Sequence, residues 1–147
     1  MVTNNNVHIN QAPRTPQFWQ LWIVLCFNVS AGIGVLGVAK TMMSEIFGAA
    51  LPAIVTAAFA GTYVLMISVF NMCGRFFWAS MSDYIGRKNT YHCFFVLGTI
   101  LYLSIPFIAS QVSPDPAETF KWLVMFYAVT MIIFTMYGGG FATIPAY

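Results

Sequence analysis

Arg75 is the residue in this chain best placed to do chemistry. It is the sole Asp, Glu, Lys or Arg between Glu45 and Asp83, and Ser68, Asn71 and Arg75 recur at intervals of three and four. On a helix that spacing puts all three on one face. A guanidinium closing a polar stripe suits recognition of a carboxylate, because its planar fork presents two parallel N–H donors. The competing reading is that Arg75 lays its apolar stem along the helix and lifts its charge to lipid headgroups. Both readings need a helix inside a bilayer, where an arginine is costly and faces a partner, a cavity or a ligand.

A second constellation is the turn Asp83-Tyr84-Ile85-Gly86-Arg87-Lys88, which gathers three of the ten charged residues between two apolar runs. Gly86 lets the chain reverse sharply. Asp83 can pair with Arg87 or meet a helix N-terminus, while Arg87 and Lys88 supply positive charge. A charged hairpin hung between apolar helices is suited to latch one conformation of a membrane carrier against another.

Other polar residues have plainer readings. Asn28 and Ser30, and Thr130, Thr135 and Tyr137, lie in apolar runs, where such side chains mostly bond to their own or a neighbouring helix. His8 and His92 are isolated and read as surface or headgroup-level residues. Cys26, Cys73 and Cys93 lack metal-like spacing and read as small packing residues. Gly32-Ile33-Gly34-Val35-Leu36-Gly37 matches a dinucleotide-binding glycine pattern, but no strand precedes it and no acidic residue follows at the required distance. A thin helix face at Ala31, Gly32 and Gly34 is the better account. Gly138-Gly139-Gly140 with Ala142 reads as close packing or local unwinding. With no His cluster, paired carboxylates or nucleophile–base spacing, the chain reads as a non-enzyme with no metal site and no cofactor.

The elements that must position these residues follow from composition. Hydrophobic residues make up 59% of the 147 and charged residues 7%, against about a quarter charged in soluble domains. Helices are expected at about 18–40, 51–80, 91–109 and 117–147, each able to supply the roughly 20 apolar residues that cross a hydrocarbon core. Helices are also the form in which a span bonds its own backbone. The expected fold is an all-α, polytopic transmembrane helical bundle, with residues 1–17 as a polar tail and 18–147 as the membrane region. The tail has no positive segment leading into a short apolar core, so it does not read as a signal peptide.

Before the fourth helix, Asp115 suits the N-cap, Pro116 the first helical position, and Glu118 completes a capping box. Pro52 is expected near the start of the second helix, with Pro106 and Pro145 kinking or ending theirs. Arg14, Arg75, Arg87 and Lys88 lie toward one side, Lys40 and Lys121 toward the other. The excess puts the N-terminus and the Asp83–Lys88 turn in the cytoplasm, as in a multi-pass protein of the cell (inner) membrane. Six scattered cations give no footprint for nucleic acid. Tyr147 follows an apolar run directly, so the chain reads as truncated.

The Asp83–Lys88 turn resembles the signature loop of the major facilitator superfamily, Gly-x-x-x-Asp-Arg-x-Gly-Arg-Arg/Lys, with Ala79 in place of the first glycine and Tyr84 in place of the first basic residue. Thr15-Pro16-Gln17-Phe18-Trp19-Gln20-Leu21-Trp22, Gly74-Arg75-Phe76-Phe77-Trp78 and Tyr137-Gly138-Gly139-Gly140-Phe141-Ala142-Thr143-Ile144-Pro145 are similar to the C-terminal half of the oxalate/formate antiporter family. That resemblance, from about Arg14 to Tyr147, would make the spans helices seven to ten of a twelve-helix carrier. It implies exchange of small organic anions, oxalate, formate or other monocarboxylates, with the bilayer and the missing remainder of the transporter as partners. It also tips Arg75 toward substrate binding; the family's second substrate cation, a lysine on the eleventh helix, would fall beyond Tyr147. The alternatives are a truncated membrane fragment that does not transport and a major facilitator transporter for another substrate class.

Overall fold

Thr15 takes extended backbone and Pro16 opens the first long helix, its missing N–H costing nothing where no partner exists. The computed structural model of the protein describes residues 8–144. After a 3-10 turn at Ala12–Arg14 come four helices: α1 (Pro16–Phe47), α2 (Ala57–Ile85), α3 (Arg87–Ser110) and α4 (Pro116–Thr143). Each is long and apolar enough to cross a membrane, and no strand occurs among the described residues. Short connections make successive helices antiparallel, so α1 and α3 start at one end of the bundle and α2 and α4 at the other.

Four boundaries differ from the sequence expectation by more than two residues: the end of the first helix, the start of the second, its end at Ile85 rather than 80, and the start of the third. The first helix does not stop near residue 40. It continues to Phe47 because Ala39, Met43 and Phe47 form a buried stripe at four-residue spacing, while Lys40 and Glu45 stay exposed on the same turns. The second does not begin at 51. Leu51 and Val55 are buried in a turn that closes over the bundle, with Val55 N–H donating to Leu51 O at 2.9 Å. Pro52 lies in that turn, and Thr56 caps α2 by accepting from Phe59 N–H at 3.3 Å. The third begins at Arg87, four residues early, and runs through Pro106 to Ser110.

At α4, Asp115 caps as expected, its carboxylate accepting from Ala117 N–H at 3.1 Å with Pro116 first in the helix. The reciprocal half of the box is not made by Glu118. Asp115 N–H meets Ser113 Oγ at 3.4 Å, and Thr119 folds back on Ser113, its hydroxyl donating to Ser113 O at 2.7 Å and accepting from Ser113 N–H at 3.1 Å. The expectations for residues 1–7, Pro145 and Tyr147 lie outside the described residues.

The most apolar window of α4 is 61% buried, that of α1 only 6%. α4 is therefore the hub. Its first half packs Phe126 against Phe47 of α1 (centroids 5.4 Å apart) and Tyr63 of α2, and its second half packs Met136 with Trp78 and Phe94, whose rings meet edge-on at 4.8 Å. Edge-to-face pairs of this kind add stability beyond the area they bury.

Candidate functional site

The close approach of α2 and α4 sets the geometry around Arg75. A Cβ on Gly74 would run into the backbone of Thr135, and one on Gly138 into the backbone of Asn71. Glycine at both positions lets two helix backbones nearly touch, the small-residue mode of packing in membranes. The glycine run of α4 stays helical, and Gly139 and Gly140 bed against Trp78 and Asn28. Gly32 of α1 likewise meets the Tyr137 ring. Gly34 faces open space and Ala31 is exposed, so the thin face expected on α1 is Gly32 alone.

Asn71 is the midpoint of α2, half-buried on this seam with its amide oxygen against Gly138. Arg75 follows one turn later, about 6 Å along the axis. Its side chain is exposed, and its guanidinium carbon sits 6.0 Å from the Phe141 ring centroid of α4, at the outer limit of a cation–π contact. Ser68 is exposed one turn before Asn71, and its hydroxyl donates to Val64 O at 3.2 Å. Thus Asn71 and Arg75 meet the same stretch of α4, whereas Ser68 spends its donor on its own helix. Thr130 and Thr135 do likewise, donating to Phe126 O and Ile132 O, both at 2.7 Å.

In the Asp83–Lys88 turn, Gly86 is the one residue joining α2 to α3. It has φ 84° and ψ 142°, a conformation that a residue with a side chain adopts only under strain. Asp83 is exposed on the last turn of α2, Arg87 is half-buried, and Lys88 is exposed. The turn is tied inward through α3: the Tyr91 hydroxyl donates to Gly140 O at 2.9 Å and lies 3.0 Å from Thr143 Oγ1. Trp78 Nε1–H adds a second bridge, to Thr135 Oγ1 at 3.3 Å.

Asn28 has a larger place than its isolated position on α1 suggests. Its Nδ2 is buried without a hydrogen-bond partner among the described residues. It lies against Gly140 and lines a cavity of about 40 Å³ with Tyr102, Met136 and Tyr137. The signal was present in the sequence: Asn28 is the one amide side chain in the apolar stretch from Leu21 to Met43. No group of three or more His, Cys, Asp or Glu side chains is arranged for a metal ion among the described residues.

The oxalate:formate antiporter of Oxalobacter formigenes is 30% identical over 149 residues, an alignment covering 99% of this chain and 31% of the antiporter. The chain thus spans about a third of that relative's length. No family model matches it, and no solved structure does. The chain is a multi-pass membrane protein. Four spanning-length helices with Phe27, Leu65, Phe76 and Leu103 turned outward, together with similarity to an antiporter over nearly their whole length, leave the bilayer as the solvent that fits.

Proposed function

We propose that this chain forms part of a secondary transporter that exchanges small organic anions such as oxalate and formate, in a bundle of the major facilitator type. The observation that carries the proposal is Arg75, a charged side chain one turn from the midpoint of a spanning helix and exposed beside Phe141. The headgroup reading asks more of it. Ten residues separate Arg75 from the end of α2 at Ile85, about 15 Å of helix, and a side chain would have to cover most of that to reach the turn. A cation at this depth, with the Asn71 amide a turn away, suits an anion entering from a central pathway, where carrier sites lie. Ser68 would extend the site as a weaker, rotatable hydroxyl. Exchange driven by solute gradients needs no cofactor.

In this reading Asp83, Gly86, Arg87 and Lys88 form the latch that holds one conformation of the carrier against the other, and the Tyr91–Gly140 bond couples α3 to α4. A carrier containing this chain should therefore keep substrate affinity but lose turnover when Asp83 is changed to Asn, because the substitution alters the balance of conformations rather than the site. Oxalate binding and oxalate exchange, each measured in proteoliposomes at matched protein level, separate the two. An unchanged exchange rate would remove the latch role.

The second reading is a membrane fragment that does not transport. Reading the gene past the Tyr147 codon discriminates: a continuing frame with two more spans and a lysine supports the carrier, an immediate stop the fragment.

A further inference from the structure

We propose that the groove between the first turns of α1 and α3 binds an anionic phospholipid, with the phosphate at Lys88 and His92 and an acyl chain along Leu21, Val24 and Phe95. The groove encloses about 520 Å³, within the roughly 300–1,000 Å³ of small-molecule sites. Its lining is graded. Gln17, Gln20 and Lys88 belong to the opening turns of their helices, and both helices open at the same end of the bundle. Val24 and Phe95 lie about two turns further in, roughly 10 Å at 5.4 Å per turn. The groove is thus polar at its mouth and apolar along its length, the polarity order of a phospholipid from headgroup to tail.

Two further observations fix the level and the charge. Trp19 and Trp22 are half exposed on the same turns of α1, and indoles concentrate where hydrocarbon gives way to headgroups. The lining contains no carboxylate, so nothing in the groove itself neutralises Lys88. His92 Nδ1 lies 2.9 Å from Lys88 O. A carbonyl only accepts, so the contact is satisfied by the tautomer with its proton on Nδ1, which leaves Nε2 for another partner. A soluble phosphate would meet the cation but leave the apolar wall unused, whereas a lipid uses both.

Native mass spectrometry of the full chain in detergent, titrated with phosphatidylglycerol, phosphatidylcholine of the same acyl chains, or inorganic phosphate, tests the assignment. Phosphatidylglycerol should bind at least about five-fold more tightly than phosphatidylcholine, the ratio expected from one basic residue at a membrane surface. Lys88→Gln with His92→Gln should abolish that preference, and Lys88→Arg should retain it. Val24→Ser with Phe95→Ser should weaken both lipids. Helicity measured alongside identifies variants that have lost the fold. Equal binding of the two lipids, a preference that survives Lys88→Gln with His92→Gln, or displacement of the lipid by millimolar phosphate would overturn the proposal.

Discussion

The absence of a Cβ at Gly74 lets α2 meet α4 backbone to backbone. The backbone of Thr135 occupies the space a Cβ would need, and backbone cannot turn aside as a side chain can. Gly74→Ala should therefore push α2 and α4 apart and cost about 1–3 kcal/mol, the usual range for overpacking. Gly34→Ala, on an exposed face with nothing within 4 Å, should be neutral or stabilise by about 0.5–1 kcal/mol, the helix-propensity gain of Ala over Gly. Thermal loss of helical circular dichroism in a mild detergent compares the two, and equal effects would contradict the seam. Glycine type alone could not separate them. Both sit in apolar, glycine-bearing segments, and contact across the bundle makes the difference.

At the scale of the element, the sequence was readable where an element is specified locally. Asp115 and Pro116 announce the start of α4 by types that suit particular cap positions, and the helix begins there. Replacing Asp115 by Ala should cost about 1 kcal/mol, a typical N-cap loss, and fray the first turn. Faster amide exchange at Ala117 than at Leu123 would report it, and unchanged protection at Ala117 would show that Thr119 and Ser113 hold the turn unaided. The sequence was misleading where hydropathy alone marked the boundary. Leu51 and Val55 are as apolar as a span, yet they are buried in a turn over the bundle end. The first span, expected to end near residue 40, continues because the stripe of Ala39, Met43 and Phe47 carries α1 past Lys40 and Glu45. Burial against residues distant in the sequence decides both cases: all five join one core cluster, in which Phe47 packs on Phe126 of α4, some eighty residues further on.

At the scale of the whole molecule, fold class and candidate site differ in how far the sequence led. Four apolar runs and few charges specify an all-helical membrane bundle, whereas the hub role of α4 and the burial of the Asn28 amide depend on which helices cross. The Ser68, Asn71 and Arg75 stripe was legible as a spacing, but only its last two members meet α4. Orientation has its own test. We propose from the excess of Lys and Arg that the Gly86 turn is cytoplasmic; a single cysteine at position 86 in a cysteine-free background should then resist an impermeant thiol reagent added outside intact cells. One at position 111 should react. The reverse pattern would invert the topology and with it the direction in which the latch faces. The central claim is that Arg75 grips the carboxylate of a transported anion, and radiolabelled oxalate exchange in proteoliposomes, by the carrier containing this chain and its Arg75→Lys variant at matched protein level, tests it most directly. Lysine keeps the charge and loses the planar fork, so exchange and affinity should fall by about 10- to 100-fold, the equivalent of the ~1.5–3 kcal/mol a charged hydrogen bond contributes. Near wild-type exchange and affinity in the lysine variant would contradict the account, because a side chain that only reaches for headgroups needs no more than a long stem and a positive end.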